Sequence, residues 1–219
     1  KEEDVVEKLF IASTLSHLLV FTSTGKIHWL RVFSIPDVSR IAKGKSIANL
    51  LRLQPGESIA SILSVREFEE DKFVMVATER GIVKKTSLMA YSKPRQGGII
   101  GLTIDDGDRV IGAELCDGES DILLATAKGF SIRFPEKEVR PIGRTGRGVR
   151  GIRLKKEDQV VGAEIVHPGN KLLTVTSRGY GKRTLMEEYP VQGRGGLGVM
   201  TIRCNEKIGT VVGVQQVDE

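Results

Sequence analysis

The pattern Thr-x-x-Gly occurs four times, as Thr22–Gly25, Thr78–Gly81, Thr126–Gly129 and Thr176–Gly179, with its glycines 56, 48 and 50 residues apart. A period of about 50 residues means that one structural unit is stacked several times. Each motif closes an apolar run (HLLVFT, KFVMVAT, DILLAT, KLLTVT) and opens a second extended run (KIHWLRV, IVKKTSL, FSIRF, YGKRTL). Two such runs joined by a three-residue loop describe a β-hairpin. Glycine stands last in the loop because that position takes the left-handed backbone conformation.

A second landmark lies 17 to 19 residues beyond each of these glycines. It is a basic, glycine-bearing loop: IAKGKS around Gly44, PRQGG around Gly98, GRTGRG around Gly148 and GRGGLG around Gly198. Short apolar runs follow (IANLLRL, IGLTI, RGIRL, VMTIR), then an acidic turn and one more strand, as in GESIASILSV, GDRVIGAELC and EDQVVGAEIV. The chain also opens on that last element, EEDVVEKLF, and closes on it, KIGTVVGVQQV. One repeat therefore has the size and strand number of a propeller blade, and its faces are buried only by stacking on neighbours. The expected architecture is all-β, a single propeller-like domain over 1–219. Its repeats span approximately 4–56, 57–107, 108–157 and 158–206, with a partial repeat over 207–219, giving about four to five blades in an open arc. No segment has a sustained helical period; short helical turns are expected near SIPDVSR and LMEEYP.

Several function classes are disfavoured. No apolar run approaches the 18 or more residues that span a bilayer, and KEEDVVEKLF lacks the regions of a signal peptide, so the chain reads as a cut from a longer cytosolic protein. Cys116 and Cys204 are far apart and read as two buried thiols, while His17, His28 and His167 have no metal-ligand spacing. Gly146–Gly151 and Gly193–Gly198 both spell G-x-G-x-x-G, but a strand rather than a helix follows, which removes the dinucleotide-binding reading. No phosphate-binding loop of the ATPase type is present. Tyr91, Tyr180 and Tyr189 have no acid–base neighbours and read as packing residues, as Trp29 reads as inter-blade core. With no nucleophile–base pair and no metal cluster, neither catalysis nor a cofactor is expected of this segment.

The net charge is +5, with a sequence pI near 9.2. Its placement matters more than its size. One set of basic residues lies on the hairpins: Lys26, Arg31, Arg80, Lys84, Lys85, Lys128, Arg133, Arg178, Lys182 and Arg183. The other lies in the glycine-rich loops: Lys43, Lys45, Arg95, Arg144, Arg147, Arg150 and Arg194. From Lys128 to Arg153 there are eight Lys or Arg and two Glu, a local net of +6. The acidic residues Glu57, Asp105, Asp106, Asp108, Glu157 and Asp158 sit in the other inter-strand turns, which are expected elsewhere on the disc. Repetition converts this pattern into a curved positive stripe suited to the phosphates of a bent duplex. Aromatic residues make up 5% and none interleave with the basic loops, which argues against a single-strand stacking platform. The same charges also suit solvated strand faces that guard sheet edges, in a propeller that binds protein.

The stretch EFEEDKFVMVATERGIVKKTSL, the segments GRGVRGIRL and GYGKRT, EEYP and the closing VVGVQQVDE resemble the C-terminal domain of DNA gyrase A, over essentially the whole chain. The corresponding domain of topoisomerase IV is the nearest competitor. The resemblance implies a β-pinwheel whose blades exchange a strand and whose basic rim wraps duplex DNA. It further implies a bacterial, cytoplasmic, nucleoid-associated protein that works with the rest of gyrase A and with gyrase B, where ATP and magnesium are expected. The family's box, Gln-Arg-Arg-Gly-Gly-Lys-Gly, belongs to a first blade just after which this chain is expected to start. The degenerate copy Gln192-Gly193-Arg194-Gly195-Gly196-Leu197-Gly198 keeps Arg194 as an expected phosphate contact.

Overall fold

The computed structural model describes residues 9–39, 42, 44 and 46–218. Lys43 and Lys45 lie outside the described residues. The first hairpin is β1 (His17–Thr22) and β2 (Lys26–Arg31), with β3 (Ile59–Val65) returning to pair with β1. Counted from its hairpin to the long strand that pairs back on it, the second repeat supplies β4 (Phe73–Thr78), β5 (Ile82–Ser87), the two-residue β6 (Ile99–Ile100) and β7 (Val110–Cys116). The third supplies β8 (Asp121–Thr126), β9 (Phe130–Pro135), β10 (Val149–Arg150) and β11 (Val160–Val166). The fourth supplies β12 (Lys171–Thr176), β13 (Gly181–Leu185), β14 (Val199–Met200) and β15 (Val211–Val217). The helical turns expected after the first and last hairpins are 3-10 turns at Val32–Ser34 and Met186–Glu188; the second and third hairpins have their own at Leu88–Tyr91 and Glu136–Glu138.

The sheets do not follow repeat boundaries. Their orders are β3-β1-β2-β6, β10-β5-β4-β7, β11-β8-β9-β14 and β13-β12-β15, all paired antiparallel. The fourth strand of each of the first three blades therefore comes from the next repeat. Among the described residues β13 has no strand on its outer side.

The exchanged segments are held by a recurring bond pattern. The carbonyl of Gly25 accepts the N–H groups of Gly101 at 2.8 Å and Leu102 at 3.1 Å. Gly81 does the same for Gly151 and Ile152, and Gly129 for Thr201 and Ile202. Each of these glycines ends a hairpin loop with φ near +80° (+79°, +80° and +82°), a conformation that leaves its carbonyl free to turn toward the neighbouring repeat.

Strands of the first three hairpins are largely buried on both faces, which explains their near-continuous apolar runs. On β4, Met75 and Ala77 pack with Ile122, Leu124 and Phe134 of the third blade, while Val74 and Val76 pack with Leu19, Phe21 and Tyr91. Leu123 and Ala125 face Leu172, Met186 and Tyr189 of the fourth blade. The core is thus a series of inter-blade layers, each buried Leu, Ile or Phe contributing about 1.5–3 kcal/mol. Tyr91 and Tyr189 are buried there, whereas Tyr180 is exposed and is not the packing residue the sequence suggested.

The long strands β3, β7, β11 and β15 lie side by side from blade to blade. Carboxylates tie them: Glu114 Oε2 accepts the N–H of Ile165 at 2.9 Å, and Glu164 Oε2 accepts that of Gln216 at 3.2 Å. Burial pushes Glu114 up to about 7, and burial with the nearby Glu114 charge pushes Glu164 up to about 8.

A Cβ on Gly25 would stand 2.6 Å from the Leu102 carbonyl oxygen, whereas one on Gly179, at φ +77°, would meet nothing within 4 Å. Gly179→Ala is therefore expected to cost only the left-handed backbone penalty, about 1 kcal/mol. Gly25→Ala should cost clearly more, because backbone must move. Thermal melting of the two variants checks this; equal losses would refute the role given to the exchange.

Candidate nucleic-acid interface

The glycine-rich loops form one edge because consecutive loops interlock. The carbonyl of Thr145 accepts the hydroxyl of Thr103 at 2.7 Å. The carbonyl of Gly196 accepts Arg153 N–H at 2.7 Å, and Gly195 N–H donates to the Gly151 carbonyl at 2.7 Å. Arg194 Nη1 donates to the Arg150 carbonyl at 2.5 Å. Exposed along this edge are Arg95, Arg147 and Arg150, with Arg144 and Arg194 half-buried. Arg147 is paired with Asp105. Arg194 N–H donates to Glu138 Oε2 at 2.8 Å, so this residue also builds its loop.

Further exposed cations lie on the same edge. Arg52, Arg153 and Arg203 each follow a buried or half-buried apolar residue, in Leu51-Arg52, Ile152-Arg153 and Ile202-Arg203. The sequence signal for them is the alternation that starts after each short apolar run. Lys93 and Arg140 are exposed at the loop entries.

Two hairpin lysines are corrections. Lys84 and Lys85 are 1% and 3% exposed and cannot reach a phosphate. Lys84 Nζ donates to the carbonyls of Gly101, at 2.6 Å, and Arg144. Burial, reinforced by the nearby Arg144 charge, lowers it to about 8. Lys85 Nζ lies 3.2 Å from the fully buried Glu136 carboxylate and 5.1 Å from the Phe73 ring centre.

The position of Lys85, four residues past the hairpin glycine, has a constant task. Trp29 Nε1 donates to the Tyr91 carbonyl at 2.8 Å, Lys85 Nζ to that of Glu136 at 3.2 Å, and Arg133 Nη1 to that of Met186 at 2.8 Å. Each acceptor belongs to the 3-10 turn of the following repeat. Arg133 also pairs with Asp121 at 2.8 Å, which makes it structural as well. Trp29 is inter-blade core, as expected. On β13 the matching residues, Lys182 and Arg183, are exposed along with Arg178, and among the described residues no further strand covers them.

The acidic turns are not elsewhere on the disc but against the hairpin tips. Arg80 Nη1 donates to the Asp106 carbonyl at 2.9 Å, and Arg80 N–H to Asp108 Oδ1 at 3.0 Å. Lys128 N–H donates to Asp158 Oδ1 at 2.9 Å, and Lys128 Nζ to the Lys156 carbonyl at 2.6 Å. In the first blade, Glu57 Oε1 accepts the hydroxyls of Thr22 at 2.5 Å and Thr24 at 2.9 Å, and Oε2 accepts Gln54 N–H at 2.8 Å. Burial would raise the Glu57 carboxyl, but these bonds outweigh it and hold it below the ordinary value. Lys26 is half-buried beside this cluster, and Arg31 is exposed over the Phe33 ring at 5.7 Å. The first three hairpin tips are thereby held against acidic turns, while exposed arginines remain on the loop edge. Among the described residues there is no group of three or more His, Cys, Asp or Glu that could hold a metal ion, and no helix long and apolar enough to cross a membrane.

Lys85→Met leaves Glu136 buried without a cation, so a loss of about 3–5 kcal/mol is expected. Arg178→Met, at an exposed site, should change stability by less than about 0.5 kcal/mol; denaturant titration compares them. Lys84 gives a pH signature. Its folded value of about 8 lies below the unfolded value of about 10.4, so the unfolded chain holds more protons between the two. Its contribution to stability therefore rises with pH across that window, and Lys84→Met should remove the rise. A wild-type minus variant difference that stays flat from about pH 7 to about pH 10 would refute the assignment.

The family described as DNA gyrase C-terminal domain, beta-propeller matches residues 16–66, 72–117, 120–167 and 170–218, one match per repeat. The DNA gyrase A of Haemophilus influenzae is 43% identical over 150 residues, and that of Salmonella typhimurium 46% over 150. Each alignment covers 68% of this chain and 17% of the relative, so the chain spans a small part of their length. A crystal structure of the C-terminal domain of DNA topoisomerase IV superposes with a TM-score of 0.84 at 27% identity, covering 94% of this chain and 64% of that one. A DNA gyrase A C-terminal domain gives 0.82 at 26% identity, covering 94% and 67%. Four blades, the first three completed by exchanged strands, and a family match in every repeat place this chain in the DNA gyrase C-terminal domain, beta-propeller family.

Proposed function

We propose that this chain binds duplex DNA without sequence specificity and bends it along the loop edge. In this role it is the non-catalytic wrapping part of a bacterial, cytoplasmic gyrase A. One observation carries the reading: successive glycine-rich loops interlock into an edge whose exposed groups include Arg95, Arg150, Arg153 and Arg203, none of them in an ion pair among the described residues. Arginines on short rigid loops meet phosphate oxygens bidentately, and a curved row of them lowers the energy of a bent duplex. In the intact enzyme gyrase B would supply ATP hydrolysis with magnesium, and the wrapped segment would give strand passage its direction toward negative supercoiling. The topoisomerase IV counterpart, steering the choice of DNA segment, is favoured by one observation, its TM-score of 0.84. The gyrase A relatives at 43% and 46% identity favour the first reading.

Binding to duplexes of increasing length, at several salt concentrations, tests this. Affinity should grow with length until several blades are spanned, and log K should fall linearly with log salt at about 0.9 per phosphate neutralised. Reversing Arg95 and Arg150 to Glu should flatten that slope by about two with the melting temperature unchanged. No binding at low salt would turn the reading toward a protein-binding propeller.

A further inference from the structure

The seams between consecutive glycine-rich loops are chemically unequal. At the second seam, Lys84 Nζ bridges the carbonyls of Gly101 and Arg144, and the Thr103 hydroxyl reaches the Thr145 carbonyl at 2.7 Å. At the third, Arg194 Nη1 reaches the Arg150 carbonyl at 2.5 Å and Arg153 N–H reaches that of Gly196 at 2.7 Å. Both seams are closed by the protein's own donors. At the first seam, His28 occupies the Lys84 position, three residues past the hairpin glycine, and Arg52 occupies the position of Thr103 and Arg153. The imidazole is shorter than a lysine side chain. It is 4% exposed, and its Nε2 has no hydrogen-bond partner.

At this seam lies a cavity of about 200 Å³, lined among the described residues by His28, Arg52, Arg95, Gln96, Gly97 and Gly98 together with apolar groups. Among the described residues no carboxylate lines it. Among the described residues, no hydrogen bond or ion pair engages the guanidinium of Arg52 or Arg95. Two guanidinium groups, the Gln96 amide and an unpartnered buried imidazole nitrogen thus surround one small opening. The chemistry they match is a tetrahedral oxyanion.

We propose that this seam binds a phosphate group, taking one phosphodiester of the duplex between Arg52 and Arg95 with His28 at the floor. The inference rests on the duplex-binding reading and gives it a fixed anchor point at the first blade. It also makes the contact sensitive to pH. Burial lowers the His28 imidazole below its ordinary value, Glu57 of the acidic turn pulls it back up, and Lys26 on the same strand lowers it. Arg52 and Arg95 line the same cavity. An anion seated there favours the imidazolium, so binding raises the histidine's pKa and, reciprocally, acidification tightens binding.

The chain has three histidines, so imidazole resonances can be followed one by one in the intact 219-residue protein. Titration with a duplex of several helical turns should move the His28 signals and raise its pKa, and inorganic phosphate should do the same at far higher concentration. Arg52→Gln combined with Arg95→Gln should abolish both effects, leave the melting temperature unchanged, and flatten the salt slope for duplex binding by about one. A duplex that binds without moving His28 overturns the inference and leaves duplex binding standing. If phosphate moves His28 while a bound duplex does not, the site takes a free anion, and the assignment to DNA is overturned. If no duplex binds yet phosphate moves His28, the anion site stands and the functional reading fails.

Discussion

The carbonyls of Gly25, Gly81 and Gly129 hold the molecule together in its present order. Each accepts two amide groups from the following repeat, and around each of these contacts a two-residue strand, a glycine-rich loop and an apolar run are fixed in place. A short strand of this kind could not form alone, since two ladder residues repay little of the entropy of ordering a loop. It persists because it is pinned at both ends: by the hairpin glycine on one side and, on the other, by the residue four places past that glycine reaching the next 3-10 turn. Trp, Lys and Arg fill that second role in turn. One geometric requirement is met by three chemistries, because all that is asked of the side chain is a long stem and an N–H at its end.

The repeat, the hairpins, the left-handed glycines and the all-β class were legible in the sequence, since they rest on local rules of turn geometry and on periodicity. The fate of individual charges was not. Lys84 and Lys85 are consecutive on a strand and so point to opposite faces, which for an ordinary half-buried sheet guarantees that one meets solvent. Here both faces are covered, one by each neighbouring blade, and both lysines are interior. The acidic turns misled for a related reason. They are distant in sequence from the hairpin tips, yet the long strand that follows each turn pairs with its own hairpin and brings Asp108 to Arg80 and Asp158 to Lys128. Charge periodicity set the sign of the edge, while tertiary pairing decided which cations remain on it. Arg153 and Arg203 were invisible to a reading centred on glycine, because their position is set by the buried or half-buried residue before each of them.

The inner strands show a second use of buried charge. An edge strand leaves one row of amides unpaired, and β11 and β15 would each present such a row to the preceding blade. Glu114 and Glu164 reach across and accept one amide each. Both carboxyls are pushed upward by burial, so the folded blades are favoured while these groups carry a proton. Stability is lost as pH rises from the ordinary carboxylate range through the values of about 7 and about 8. The register of β7, β11 and β15 against one another is thus set by polar groups, where apolar packing alone would tolerate sliding.

Strand exchange also gives the molecule a direction in time. A sheet begun at His17 is not complete until Ile100 has been added, and the one begun at Phe73 waits for Arg150. On a ribosome each of the first three blades therefore spends an interval as a sheet with an open outer edge, and is sealed only by the repeat synthesised after it. Assembly runs one way along the chain, each exchanging repeat serving first as the latch of its predecessor and then as recipient of the next.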